Sequence, residues 1–538
     1  MRYVLTADRS QLSNYRGNYL FGFLSCGPVK ISPEPIYSMI CPTKDTYDSR
    51  TGELVLAPVG LRRIQESLER AYGTGIVVAQ HPFHLDKVID EKTRVVGLTE
   101  MSPLGLGPVD TAISWKNDNW NRKWFVSLMK RLKELKKKFR FKVVVGGPGA
   151  WQLLHPFTDY LRIQGTPIGN MAAAFRRTVG LYSKHDAIID EWVKEELGVD
   201  HVVEGEADSA APEIFEKIEE GDAPEYIRVF TNSIRSVDDV PEITRPTLAG
   251  SVEIMRGCGR GCDFCAPNLR TKRDFPIERI VKEASVNIRI GQRGVWLLTE
   301  DLMLYGCDNK NMVPNEDVIV ELYTALKKAG AWKIGCTHWT FAGVCAAPDL
   351  IRRLSEINEL RDGWMGVQPG LEWISPHMIR KYMPYKTKPF SPEEYPEVVM
   401  KALKIMNTYH YYPAVTLIVG HPGEQDDEIE MTIQFIEDVH QKGLHGLFAP
   451  LLYVDYYRPE RSMTYEKMNK HHWRLFYTAW KHNTREFSQK IWLATQNFGP
   501  LERLVTVIGT HILNFYILRF IKHQYRRRFG EVPNWMTI

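Results

Sequence analysis

The sequence predicts an α/β protein in three parts: a doubly wound parallel-sheet domain, a partial parallel (β/α)6 barrel and a helical C-terminal domain. Two observations carry this reading. Across residues 61–215, and again across 251–460, short apolar strands alternate with helical patterns, as expected of parallel sheets covered by helices. After residue 460 the alternation gives way to long helical stretches rich in Trp, Tyr and Phe.

A chain of 538 residues is too long for one ordinary core, and about 150 residues per domain suggests three. Its 44% hydrophobic and 25% charged residues are those of a folded protein, and a net charge of +4 is too small to argue for nucleic acid. Of the eight cysteines, Cys26, Cys41, Cys307, Cys336 and Cys345 are scattered and form no disulfide framework, which fits a reducing, cytoplasmic setting.

Residues 1–60, rich in Gly, Pro and aromatics, show no clean period and read as an N-terminal extension. In 61–215, a helix over 61–72 precedes strands at 75–79 and 93–98. An amphipathic helix over 124–139 then carries Phe125, Leu128, Leu132 and Leu135 on one face. Strands at 141–145 and 201–203 run into Gly146-Gly147-Pro148 and Glu204-Gly205-Glu206, and a sheet of this type binds ligands at the carboxyl ends of its strands. An insertion over 151–198 separates these two motifs, and residues 216–250 read as a linker. The barrel, 251–460, has about six strands, at 251–255, 295–298, 332–337, 364–367, 414–419 and 446–452.

Directly after the first of these strands, residues 255–267 read Met-Arg-Gly-Cys-Gly-Arg-Gly-Cys-Asp-Phe-Cys-Ala-Pro. Three thiolates this close, Cys258, Cys262 and Cys265, suit three irons of one cubane, and Gly257, Gly259 and Gly261 let the loop wrap around it. A tetrahedral zinc site wants four protein ligands, and no fourth Cys or His is nearby. Three ligands leave one iron open to bind and reduce a substrate.

The Cys-x3-Cys-x2-Cys spacing, with Phe264 before the last cysteine, resembles the radical S-adenosylmethionine (SAM) superfamily. The resemblance implies a [4Fe–4S] cluster held by Cys258, Cys262 and Cys265. Its open iron would chelate SAM and split it to a 5′-deoxyadenosyl radical, with electrons from a ferredoxin or flavodoxin. It also implies further SAM contacts. Glu300 and Asp301, in Thr299-Glu300-Asp301, stand where the family meets the methionine amino group. Glu372, in Gly370-Leu371-Glu372, falls near the ribose. Gly420, Pro422, Gly423 and Glu424, in Gly420-His421-Pro422-Gly423-Glu424, resemble the turn that supports the adenine.

Residues 61–215 resemble the cobalamin-binding-type, Rossmann-like domain that precedes many such barrels. The family's Asp-x-His-x-x-Gly signature is absent, because neither His81-Pro82-Phe83-His84 nor Asp200-His201-Val202-Val203 matches it, so cobalamin stays an open cofactor. The tail, 461–538, carries an apolar run over 504–518 interrupted by His511 and Asn514 and followed by Arg519, Lys522, Arg526, Arg527 and Arg528. Such a segment either lies in a membrane interface, giving peripheral contact with the inner face of the cell membrane, or caps the barrel as a core helix.

With the stretches at 4–9 and 21–26, the Pro103-Leu104-Gly105-Leu106-Gly107-Pro108 loop and the basic apolar tail, the chain is similar to archaeal enzymes that modify tetraether membrane lipids, notably the ring synthases that build cyclopentane rings into isoprenoid chains. That implies a lipid or other large apolar substrate. The alternatives are a cobalamin-dependent C-methyltransferase acting on a protein side chain, lipid or tetrapyrrole, and a non-enzymatic cluster scaffold for a membrane partner. A methylthiotransferase needs three clustered cysteines in its N-terminal domain, where only Cys26 and Cys41 occur.

Overall fold

The computed structural model describes residues 1–17, 19–114, 118–155, 188–229, 236–265, 271–308, 310–361, 363–456, 458–495 and 498–536. Most of the expected insertion over 151–198 therefore lies outside the described residues. Two compact units emerge: Met1–Glu253 with Glu278–Val295 and Val454–Ser462, and Ile254–Ile277 with Trp296–Tyr453 and Met463–Ile538.

In the first unit, β1 (Tyr3–Thr6), β2 (Val77–Ala79), β3 (Val95–Thr99), β4 (Lys142–Gly146), β5 (His201–Gly205) and β6 (Tyr226–Val229) form one parallel sheet. Their order is β2-β1-β3-β4-β5-β6. Alternate residues face opposite ways along each strand. Val4, Val78, Val96, Val143 and Val145 bury one face beneath Phe125, Leu128 and Leu132 of helix Trp120–Lys136. Tyr3, Leu5, Val77, Val95 and Val144 bury the other beneath Leu61 and Leu68 of helix Val59–Tyr72 and Phe215 of helix Ala211–Glu220. Covering on both faces is why these strands read as unbroken apolar runs.

Two expectations need correction. Residues 1–60 are no mere extension, because β1 sits inside the sheet between β2 and β3; its four residues, all buried, are too few to show a period. Residues 216–229 are no linker, because they finish helix Ala211–Glu220 and supply edge strand β6, whose half-exposed pattern hid it.

Barrel strands follow the expected order: β7 (Ser251–Glu253), β8 (Gly294–Leu298), β9 (Lys333–Cys336), β10 (Met365–Glu372), β11 (Tyr411–Val419) and β12 (Leu447–Leu452). A three-stranded sheet β9-β8-β7 passes, beyond Thr337, into a four-stranded sheet of His338–Trp339, β10, β11 and β12 whose neighbours are parallel. Helix Lys470–Ala494 is stitched to this barrel. Phe448 N donates to Asn483 Oδ1 (2.7 Å) and Asn483 Nδ2 to Phe448 O (2.6 Å), which makes this helix a structural cap.

Within the first unit, helix Val59–Tyr72 is clamped to helix Ile277–Arg289 by a buried two-pronged pair. Arg63 Nη1 and Nη2 donate to Glu283 Oε1 (2.6 Å) and Oε2 (2.9 Å), with side chains 0% and 3% exposed. Removing one partner leaves the other buried charge to its secondary ionic contact, Arg279 Nε to Glu283 Oε1 (3.2 Å) or Arg63 Nη2 to Glu253 Oε2 (3.6 Å), so Arg63→Ala or Glu283→Ala is expected to cost about 3 kcal/mol in urea unfolding. The paired replacement Arg63→Leu/Glu283→Leu costs less than either single change; a larger loss in the double variant would contradict this account.

Candidate functional site

Chain geometry around the three cysteines begins where β7 hands over to the loop. Ile254 N donates to Leu298 O (3.0 Å), registering the start of the loop against β8. Gly257, Gly259 and Gly261 follow at φ of 73°, 68° and 70°, a region that costs an L side chain about 1 kcal/mol or more. These turns deliver three thiols from one short segment. Cys262 is 6% exposed, while Cys258 and Cys265 are half-buried.

Burial pushes the Cys262 thiol up to about 12, opposed by the nearby Lys386 ammonium and reinforced by Cys265 and Cys258. Burial likewise raises Cys258. Thiols that resist ionisation alone give up their protons readily to iron, because a bound cation supplies the missing positive charge. Among the described residues no three His, Cys, Asp or Glu side chains close around a single ion. A cubane asks for something different, since each thiolate takes its own iron, and three neighbouring thiols on a glycine-hinged loop fit that demand.

A cation between two of the glycines holds the loop in place. Arg260, 2% exposed, donates from Nε and Nη2 to Asp301 Oδ2 (3.1 and 2.9 Å), from Nη2 to Thr340 Oγ1 (3.1 Å), and from Nη1 to the carbonyls of Tyr385 (2.9 Å) and Lys386 (3.1 Å). Asp301, 1% exposed, also accepts from Thr340 Oγ1 and from Met303 N. Asp263 N donates to Tyr382 O (3.0 Å), so the segment after helix Pro376–Tyr382 straps the loop from its other side. Lys386 turns its ammonium to Glu372 Oε1 (3.3 Å), which also accepts from Thr416 Oγ1 (3.1 Å).

The residues assigned to SAM by resemblance divide by what they now touch. Phe264 packs edge-on against Trp373 (5.4 Å), Glu300 is half-buried, and Glu372 sits at φ 63° with Lys386 beside it. Asp301 is committed to Arg260. Glu424, 2% exposed, is committed to its own turn, accepting from Gly420 N (2.9 Å) with His472 Nε2 at 3.5 Å. Gly423 N donates to His421 Nδ1 (3.1 Å), and Pro422 lies between them. The His421 ring joins Trp373 (5.3 Å), Tyr382 (4.1 Å) and Tyr453 (4.7 Å) in an aromatic cluster between this turn and the cysteine loop.

Sequence reading missed Arg260, Lys386 and His338. Arg260 is only a spacer in the cysteine motif, and its partner lies 41 positions on; the one available signal was a charged residue inside a glycine-rich loop destined for burial. Lys386 belongs to no motif. His338 donates from Nδ1 to Thr299 O (2.9 Å), which leaves Nε2 as the acceptor of the neutral ring at the third barrel strand.

In the first unit neither His81 nor His201 stands in an Asp-x-His-x-x-Gly signature. Burial, with His84 and Arg9 nearby, lowers His81 to about 3, and its Nδ1 accepts from Phe83 N (3.3 Å). His201 begins β5, at the edge opposite the carboxyl ends, with Nδ1 engaged by Pro224 O (2.9 Å). At the switch point between β1 and β3, Gln11 Nε2 bridges Asp8 Oδ2 (2.9 Å) and Glu100 Oε2 (2.6 Å). The glycine loop after β4 closes on the same place: a Cβ on Gly147 would lie 2.7 Å from the Glu100 backbone. His81 Nε2, buried just beyond β2, has no hydrogen-bond partner among the described residues.

A partial parallel barrel with three thiols on the loop beyond its first strand has the ligand set that a [4Fe–4S] cluster with one open iron would need. Residues 252–436 match the model of the Radical SAM superfamily, whose members use a [4Fe–4S] cluster and SAM. Curated relatives include the ribosomal protein uS12 methylthiotransferase RimO of Porphyromonas gingivalis, 26% identical over 210 residues (39% of this chain, 45% of the relative). The same enzyme of Prosthecochloris aestuarii is 28% identical over 233 residues (42% and 49%). The threonylcarbamoyladenosine tRNA methylthiotransferase of Xenopus laevis is 22% identical over 267 residues (47% and 41%). The chain thus spans less than half the length of these relatives. Among solved structures, the radical SAM methyltransferase TsrM of Kitasatospora setae, with cobalamin and a [4Fe–4S] cluster bound, has the same fold: TM-score 0.50 at 14% identity, covering 84% of this chain and 72% of that one.

Asp301→Asn keeps the size of the side chain but leaves the Arg260 guanidinium buried without its counter-charge. It is expected to weaken cluster retention roughly 10–100-fold, by analogy with other groups that orient metal ligands. Iron loss from anaerobically reconstituted protein under chelator challenge measures this, and retention equal to the parent would show that the pair does not position the loop.

Proposed function

We propose that the chain is a radical SAM enzyme acting on an unactivated C–H bond of a large apolar substrate, and that it closes cyclopentane rings in the isoprenoid chains of tetraether membrane lipids. The cysteine loop locked by Arg260 and Asp301 carries the first half of this reading. Resemblance and the long apolar helix of the tail support the second. The cluster and SAM supply a 5′-deoxyadenosyl radical, which removes hydrogen from carbon that has no accessible pKa and so lies outside acid–base chemistry.

The chain's own residues have three tasks. Cys258, Cys262 and Cys265 hold three corners of the cluster. Lys386 places a positive charge beside thiolates that would otherwise be unfavourable at this depth. Phe264, Trp373, Tyr382, His421 and Tyr453 build an apolar wall at the loop, which keeps water from a reactive intermediate. Each ring costs the lipid two hydrogen atoms, which two equivalents of the 5′-deoxyadenosyl radical would carry off as two 5′-deoxyadenosine molecules, leaving two carbon radicals to pair as the new C–C bond.

Cobalamin-dependent methylation is the second reading, supported by the fold shared with TsrM and opposed by the missing Asp-x-His-x-x-Gly signature. The methylthiotransferase relatives match less than half of the chain.

Mass spectrometry of lipids from a ring-free archaeal host expressing this chain or its Cys262→Ala variant tests the proposal. Lipids lighter by two hydrogens per step, formed with the parent chain and absent with the variant, are expected. Lipids heavier by a methyl group would establish the second reading instead, and unchanged lipids beside cluster-loaded protein would refute the lipid assignment.

A further inference from the structure

Helix Pro500–Phe529 is packed on one side only. Thr506, Asn514, Ile517, Ile521 and Tyr525 are buried, and Asn514 Nδ2 donates to Thr484 O (3.2 Å) of helix Lys470–Ala494. On the opposite side Leu501, Leu504, Ile508, Ile512, Phe515 and Tyr516 are each at least 50% exposed. Steps of three and four residues align them in one stripe about 22 Å long at 1.5 Å per residue. His511 is the exposed polar residue at its middle. A lone exposed leucine means little, but a continuous row of large apolar side chains marks an interaction surface.

Charge identifies the occupant. The exposed face changes character after Phe515, whose ring lies 5.0 Å from the Arg519 guanidinium, and continues as Arg519, Arg526 and Arg527. Over its 30 residues the helix carries six Lys and Arg against a single acid, Glu502, which is used at the helix start, where Gly499 N donates to its Oε2 (3.1 Å). The whole chain has a net charge of only +4, so its surplus positive charge resides on this helix. An apolar stripe ending in a cluster of arginines complements a surface that is apolar inside and anionic at its headgroups. A transmembrane course does not suit it, because the inner face carries Thr506 and Asn514 and is already packed on protein.

We propose that this helix docks the protein on an anionic lipid bilayer, lying in the interface with the Leu501–Tyr516 stripe among the acyl chains and the basic end on the lipid phosphates. The inference does not rest on the lipid reading of the barrel, since a membrane-docked enzyme can act on other substrates.

Flotation of the full chain with phosphatidylcholine vesicles, with or without phosphatidylglycerol, tests it without any turnover. The protein is expected to float with the phosphatidylglycerol vesicles and to lose that binding at least tenfold in 1 M salt. The same loss is expected for Ile508→Asp/Ile512→Asp/Phe515→Asp and for Arg526→Glu/Arg527→Glu/Arg528→Glu, both folded with parental thermal midpoints because the altered side chains are exposed. Should the apolar variant fail to fold, the charge-reversal variant and the salt dependence decide. Absence of flotation by the folded parent overturns the proposal. So does a parental dimer, seen by light scattering, that fails to float and that the apolar variant converts to monomer, because the stripe would then be a contact between two copies.

Discussion

Everything proposed for the barrel depends on one buried ion pair, Arg260 with Asp301. A loop with three glycines in the left-handed region has little stiffness of its own, and three thiols placed on it would wander. Arg260 corrects this by reaching four oxygen atoms: the Asp301 carboxylate, the Thr340 hydroxyl and the carbonyls of Tyr385 and Lys386. Burying two charges is costly, and their attraction offsets the cost only when the remaining hydrogen-bonding positions are filled. Here they are, and the gain is geometry rather than stability. The loop, the end of the second barrel strand and the strap after helix Pro376–Tyr382 are fixed to one another at a single guanidinium.

The same logic explains the charge balance around the thiols. Cys262 lies deep enough that its anion is disfavoured, and the Lys386 ammonium beside it works against that penalty while its own carboxylate partner, Glu372, keeps the lysine charged. Two ion pairs, one fixing backbone and one adjusting electrostatics, therefore flank the cysteines from different barrel strands. The aromatic cluster of Trp373, Tyr382, His421 and Tyr453 completes the enclosure, with Phe264 linking it to the loop.

Much of this architecture was legible in the sequence, for identifiable reasons. Strands buried on both faces, such as Tyr411–Val419, leave apolar runs that need no partner to be recognised, and the alternation of strand and helix patterns located all six barrel strands. The cysteine motif is local, so its spacing survives translation into a loop. What stayed hidden is non-local or short. Tyr3–Thr6 has only four residues to advertise a central strand, and Tyr226–Val229 is an edge strand with a half-polar pattern. Arg260 and Lys386 take their meaning from partners 41 and 14 positions away, which no spacing rule exposes. Asp301 was found as an acidic residue of the right loop, but its carboxylate serves the protein's own arginine. The tail was read as either a cap or an interface element, and it divides: its first helix is bound to the last barrel strand, while its second leaves an apolar stripe open.

The most direct test of the central account is electron paramagnetic resonance of the reduced, anaerobically reconstituted chain before and after addition of SAM. The account predicts a [4Fe–4S]+ signal that shifts when SAM reaches the open iron, with 5′-deoxyadenosine accumulating under turnover. A cluster signal indifferent to SAM, in protein that forms no 5′-deoxyadenosine, would contradict it and leave the cysteine loop as the seat of a structural cluster.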